Sequence, residues 1–487
     1  MHLIRLGRTF IVVTACLCWI ASAAAQIGTT PRERASLVEN RLTHYVILKN
    51  SGPQYMQLAS QMESMHVPAV SMAAIHNGQI DWTEAQGVTS LRGPKATTRT
   101  LFSAASISKP LTAVGVLELV EANKIDLDAD VNQYLKRWKF PESEFTREKK
   151  VTVRELLNHT SGISTRNSDL YDPAQPIPTL VQMLNGDKPA KSPPVRVDAV
   201  PGSKWAYSNG GYLVLSLLIE DVTGKPFATY MKSEVLDPIG MKDSTFASPL
   251  PVRWCPRAAT GYWEDGKSGI PPANLVEPNL AAGGLWTTPT DLAKFLIEIQ
   301  REYKGTSHKL LHQRTVQMLA KPGLGGWGLG FRIGGTPANP VLSHEGSGVF
   351  QDDMLIYLNG DGFVVMTSGG GGGGLADELI RSAGTVYGFP DFRPVERTAV
   401  EVPREVLSRY PGTYGFVKIA MQGDRLTAEI PEGTRPQQLY AESPTRFFVL
   451  DGPQELEFHS QGEKPNSVEF ITPMGHHSLK RSEENWK

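Results

Sequence analysis

Ser106-Ile107-Ser108-Lys109 opens a helical run in which Leu111, Val114, Val116, Leu117 and Val120 keep a spacing of three to four residues as far as Asn123. It is the only S-x-x-K in the chain. Three residues of helix set both side chains on one face, within reach of each other. A serine hydroxyl is a weak nucleophile until a neighbouring base takes its proton. An amine held out of water near a helix N-terminus loses proton affinity and can be that base. The same dipole favours negative charge developing on Ser106. Pro110 biases Lys109 away from helical backbone, which predicts strain in the first turn, and such local conflicts gather at functional sites. The tetrapeptide by itself is still a pattern that chance supplies often.

Two further stretches carry chemistry. Pro201-Gly202-Ser203-Lys204-Trp205-Ala206-Tyr207-Ser208-Asn209 sets a phenol and an amide two residues apart on an expected loop. Tyr207 relays a proton if cations lower its pKa, and Asn209 is suited to donate to Lys109 or to a substrate carbonyl. Taken alone, Tyr-Ser-Asn-Gly reads as a turn. His344-Glu345-Gly346-Ser347 falls on an expected strand, with Gly346 letting a substrate backbone lie close. The amides of Ser347 and Ser106 then suit an oxyanion hole. Its plain alternative is a surface histidine on an edge strand. A zinc-protease motif is ruled out, since Gly348 stands where the second histidine would be.

In this order and on these expected elements, the three stretches resemble the serine β-lactamase and penicillin-binding-protein superfamily: S-x-x-K opening a helix, Y-x-N, then H-x-G on a strand. Tyr207 points to its class C-like branch. Leu156-Leu157-Asn158-His159-Thr160-Ser161-Gly162, Pro238-Ile239-Gly240-Met241 and Ala282-Gly283-Gly284-Leu285-Trp286-Thr287-Thr288 are similar to further segments of that branch. The resemblance covers about Val67 to Gly388. It implies an acylated nucleophile at Ser106, proton transfer shared by Lys109 and Tyr207, orientation by Asn209, and a substrate strand at His344 and Gly346. Which of Lys109 and Tyr207 removes the serine proton stays open. His344 stands where efficient β-lactamases hold a lysine that grips the drug's carboxylate, and histidine is neutral much of the time near its ordinary pKa of ~6.5.

The surrounding pattern is α+β. Arg32 to Leu48 and Tyr55 to Met65 read as helices, and Val67 to Ile75 and Ile80 to Val88 as a hairpin around His76-Asn77-Gly78. Helices follow at Val153 to Asn158, Gly211 to Val222 and Thr290 to Gln300. Strands return at Val341 to Phe350, Met354 to Leu358 and Phe363 to Thr367, and a helix over Leu375 to Gly384 closes the region. Strands near both ends with helices between predict one antiparallel sheet flanked by helices. Gly369 to Gly374 lack the Lys-Ser or Lys-Thr of a phosphate loop and read as a flexible connection. Residues 391–401 read as a linker between a hydrolase domain (26–390) and a small all-β, barrel-like domain (402–487), in which Leu407, Tyr410 and Gly412-Thr413-Tyr414 resemble an appended lipocalin-like module.

Residues 1–25 read as a secretory signal: Arg5 and Arg8, an apolar stretch from Phe10 to Ile20, then Ala23-Ala24-Ala25. Lipoprotein processing at Cys16 is the lesser alternative, and no stretch is long enough for a membrane span. Cys16 and Cys18 lie in that signal, so Cys255 is alone in the mature chain and reads as structural. The 49 Lys and Arg balance 50 Asp and Glu, which argues against a nucleic-acid partner. No cofactor and no metal are expected. The expected activity is hydrolysis of an ester or amide through an acyl-enzyme, with an esterase or D-amino-acid-peptide hydrolase ahead of a β-lactamase. The rival from another class is a penicillin or cell-wall-peptide binder with little turnover. The expected partner is a small molecule or short peptide.

Overall fold

The computed structural model describes residues 30–482 apart from 50, 53, 167–168, 432–435, 461 and 474, so the expected signal segment and Cys16 lie outside the described residues. Six antiparallel strands form the central sheet: β1 (Ala69–His76), β2 (Gln79–Gly87), β3 (Arg332–Thr336), β4 (Asn339–Ser347), β5 (Gln351–Tyr357) and β6 (Gly362–Thr367), in the order β2-β1-β6-β5-β4-β3. Early and late strands meet where β1 pairs with β6, Val70 opposite Thr367 and Ile75 opposite Gly362. The hairpin turn sits at Asn77-Gly78, both with positive φ (52° and 73°), as a tight turn between twisted strands requires.

Both faces of the sheet are covered, which explains why β1 reads as an unbroken apolar run. Ala69, Ala73 and Ile75 point into one core with Leu342, Met354, Ile356 and Val364. Val70, Met72 and Ala74 point into the other with Leu355, Phe363 and Val365. The first core holds α2 (Ser108–Glu121), α3 (Asn209–Thr223) and α4 (Pro289–Tyr303). The second is closed by α1 (Pro31–Asn40) and α5 (Gly372–Tyr387). Asp81 on β2 ties that layer together, pairing with Arg34 of α1 and accepting from the Tyr387 hydroxyl of α5 at 2.7 Å.

α1 is shorter than expected. A capping box between Thr30 and Glu33 starts it, with Pro31 in the first turn, but it ends at Asn40. Val46–Leu48 instead pairs in parallel with Val395–Arg397, within the stretch expected as a linker. The β-branched Val46-Ile47 pair suits a strand better than a helix end. The glycine run also corrects its reading as a flexible connection. Gly372 to Gly374 form the first turn of α5, and Gly370 to Gly372 are packed too closely for side chains. A Cβ on Gly371 would lie 2.1 Å from the Met65 carbonyl oxygen, and one on Gly372 would lie 1.7 Å from Thr367 Oγ1.

The described residues of 412–480 form nine short antiparallel strands around a core of Tyr414, Val417, Phe447, Phe458 and Val468. Gly412–Tyr414 at one end meets Gly475–Lys480 at the other, where Gly415 N–H donates to the Lys480 carbonyl and Ser482 N–H to that of Thr413. This closure leaves the barrel few open edges. Val46 N–H donates to the Leu450 carbonyl at 2.9 Å, and Val400 N–H to that of Ala441 at 2.8 Å, joining barrel to main body.

Packing rather than backbone freedom sets Gly370 to Gly372, and this is checked by urea unfolding. Gly372→Ala is expected to destabilise by about 1–3 kcal/mol through the clash with Thr367. Gly373→Ala, whose nearest neighbour is 3.7 Å away, is expected to be neutral or to stabilise by up to about 1 kcal/mol, as alanine does in a helix. Equal effects of the two would contradict the packing account.

Candidate active site

Ser106 sits in a 3-10 turn, Ala105–Ile107, that leads directly into α2. Pro110 is the third residue of α2, in a first turn whose N–H groups have no helical partner to lose, so it causes no break. The unusual backbone lies upstream instead: Ala105 has φ 42°, rare for a residue with a side chain. β4 packs against this turn. A Cβ on Gly346 would lie 2.5 Å from the Ala104 carbonyl oxygen, so only glycine lets the strand and the Ser106 turn approach.

α2 is buried on every side, and Lys109 goes in with it, fully inaccessible. Its Nζ donates to Ser106 Oγ at 3.0 Å and to the Ala282 carbonyl oxygen at 2.9 Å. Burial draws its pKa down to about 7, opposed only in part by Glu277. The amine lies 4.8 Å from the centre of the Tyr207 ring and 5.5 Å from that of Tyr212.

Burial pushes the Tyr207 pKa up to about 12, opposed only in part by the nearby Ser106 hydroxyl and Arg166. The lowered pKa on which a phenolate relay depended is therefore absent, and Tyr207 stands as a phenol. Asn209 is the first residue of α3 rather than part of a loop. Ser208 caps that helix, its hydroxyl accepting from Gly211 N–H at 3.1 Å. Lys109 is engaged by Ser106 and Ala282, and Asn209 Oδ1 is buried with no partner among the described residues.

His344 is neither on the surface nor on the edge strand. It is 4% exposed, between Tyr207 and Trp327, with ring centres 6.4 Å and 5.3 Å away. Its Nδ1 lies 2.7 Å from the Glu345 carbonyl oxygen, which can only accept, so Nδ1 carries the proton. Burial and the nearby Lys109 bring its pKa down to about 3. Outward of it, β3 pairs with β4 only as far as Ser343, so Glu345 to Ser347 leave an unpaired edge beside the cleft. Ser347 lines that cleft with Ser106 and Asn209; its volume is about 620 Å³.

Sequence reasoning gave no role to three groups beside these. His159 (φ 61°) is buried against Tyr207 with ring centres 4.4 Å apart, and it accepts from Ser208 N–H at 3.2 Å, fixing the loop that presents the phenol. Trp327 completes the aromatic wall. Glu277 lines the cleft, its carboxyl pushed up to about 8 by burial. His159 and Ala282 fall in segments already singled out as family-like, whereas Trp327 and Glu277 have no local signal. Cys255 is not among the cleft-lining residues.

Residues 57–384 match the family model described as Beta-lactamase. The chain belongs to the β-lactamase family. Among its relatives, the teichoic acid D-alanine hydrolase of Staphylococcus aureus is 27% identical over 322 residues, covering 66% of this chain and 74% of that one. Among solved structures, the octameric penicillin-binding protein homologue from Pyrococcus abyssi superposes with a TM-score of 0.58 at 21% identity, over 87% of this chain and 98% of the other. A D-amino acid amidase from Ochrobactrum anthropi SV3 gives 0.53 at 22% identity, over 66% and 95%. The β-lactamase-family sheet and helices thus account for the fold, and this member is a serine hydrolase.

The buried imidazole gives a direct check. In a ¹⁵N NMR titration, His344 is expected to stay the neutral Nδ1–H tautomer from neutral pH down to about pH 5, where an ordinary histidine is mostly charged. A midpoint near the usual ~6.5 would contradict its burial.

Proposed function

We propose that Ser106 forms an acyl-enzyme in the hydrolysis of esters or amides of D-amino-acid compounds. The observation that carries this is Lys109: a buried amine, near pKa 7, 3.0 Å from a serine hydroxyl. A neutral amine takes the Ser106 proton as Oγ attacks the carbonyl carbon. The N–H groups of Ser106 and Ser347 hold the developing oxyanion. Tyr207, a phenol, gives its proton to the departing oxygen or nitrogen and regains one from the Lys109 ammonium. Water then attacks the acyl carbon, losing a proton to Lys109, and Ser106 Oγ recovers its own. Asn209, His344 and Gly346 orient the substrate.

The names of the relatives support the substrate class, one a teichoic acid D-alanine hydrolase and another a D-amino acid amidase. A dedicated β-lactamase is the lesser reading, because neutral, buried His344 offers no charge to a drug's carboxylate. Export is part of the proposal: residues 1–25 carry the signal pattern, and among the described residues no helix is long and apolar enough to cross a membrane.

Intact mass after exposure to a fluorophosphonate tests the nucleophile. One adduct is expected on the wild type and none on Ser106→Ala; equal labelling of both would remove Ser106 from the mechanism. Lys109→Ala is expected to lower kcat/KM for D-alanyl esters by about 10²–10⁴, the usual worth of a general base. A loss below threefold, on the order of ordinary scatter between mutants, would point to another base.

A further inference from the structure

The cleft has a charge pattern that the acyl-enzyme chemistry leaves unused. Among the described residues lining it there is no lysine or arginine, while Asp169 and Glu277 both face it. Their nearness is built in. Tyr171 pairs with Val276, its N–H donating to the Val276 carbonyl at 3.0 Å, so the segments carrying the two carboxylates run side by side.

Glu277 lies close to the reacting groups. A Cβ on Gly283 would sit 3.3 Å from its Oε2, and Gly283 follows Ala282, whose carbonyl holds Lys109. Glu277 Oε1 accepts from Asn279 N–H at 2.8 Å, and Asp169 Oδ2 accepts from the Ser192 hydroxyl. These neutral donors leave acceptor capacity on both carboxylates.

Asn209 supplies an independent sign of a ligand. It is nine-tenths buried, it lines the same cleft, and its Oδ1 has no donor among the described residues. Native structures rarely leave a buried acceptor unmatched, because the group forfeits its hydration without return. Two carboxylates and one orphan amide oxygen ask for a cation with several N–H groups.

We propose that Glu277, with Asp169 and Asn209 Oδ1, receives an ammonium group on the acyl part of the substrate, so that the enzyme selects aminoacyl esters and amides whose amino group is free. This rests on the acyl-enzyme reading of Ser106. In an α-aminoacyl substrate the ammonium is two bonds from the carbonyl carbon, and Ser106, Gly283 and Glu277 line the same cleft. An ammonium in the socket neutralises the carboxylates whose mutual repulsion and burial oppose ionisation of Glu277. The competing role for Glu277 is as counter-charge to Lys109 alone.

The test compares D-alanine p-nitrobenzyl ester with its N-acetyl counterpart, with p-nitrophenyl acetate as a probe of the underlying esterase. The wild type is expected to favour the free amine in kcat/KM by at least about tenfold, in line with one charge-assisted hydrogen bond. Glu277→Gln is expected to bring that ratio down by about tenfold, and Asp169→Asn by a smaller factor in the same direction. Because the ratio is taken within one preparation, the fraction folded cancels. A wild-type ratio near one, cleavage of p-nitrophenyl acetate with neither alanyl ester turned over, or a Glu277→Gln variant that slows both esters alike would overturn the inference, the last leaving Glu277 as a partner of Lys109. No turnover of p-nitrophenyl acetate and no Ser106 adduct would instead defeat the acyl-enzyme reading, and this inference with it.

Discussion

Lys109 is carried into the protein by a helix that is apolar on all sides, and the consequences of that burial run through the whole site. An ammonium loses several kcal/mol of hydration on such a transfer, so the neutral amine becomes accessible near neutral pH. Among the described residues, Nζ donates to two oxygens, Ser106 Oγ and the Ala282 carbonyl. They fix its direction without restoring its usual basicity. The sheet and helices around it keep water away and hold the serine in line. The positive φ at Ala105 and the side-chain-free contact at Gly346 are the local concessions that let the Ser106 turn and β4 come together.

The same burial reaches the neighbours with different effects. It raises the Tyr207 phenol and lowers the His344 imidazole, so each is held in its neutral form. One near-neutral amine, one phenol and one uncharged imidazole make up the interior of the site, and the exposed Arg166 guanidinium stands 5.9 Å from the centre of the Tyr207 ring. Among the described residues lining the cleft, the ionisable side chains Asp169 and Glu277 are acidic. In the proposed reading, these acidic side chains suit an ammonium better than a drug's carboxylate.

Much of this was legible in the chain because it is local. Asn77-Gly78 marked the hairpin, the 3–4 spacing after Ser106 marked α2, and S-x-x-K, Y-x-N and H-x-G marked the residues that converge. What the chain did not reveal is set by tertiary contact. Whether Tyr207 ionises depends on its burial beside His159 and Trp327, residues 48 and 120 positions away in sequence. The close packing of Gly370 to Gly372 depends on Glu264, Met65 and Thr367, which no local window contains. The parallel pairing of Val46–Leu48 with Val395–Arg397 joins opposite ends of the chain, beyond any periodicity argument.

The central claim is that a buried, neutral Lys109 activates Ser106, and the pH dependence of Ser106 modification by a fluorophosphonate tests it most directly. The reagent does not titrate, so the rate reports the base. The account predicts a second-order rate constant that rises with pH as Lys109 loses its proton, with a midpoint near 7, and loss of that limb in Lys109→Ala. A rate flat from about pH 6 to 9, or a limb near the ordinary lysine value of ~10.4, would contradict it.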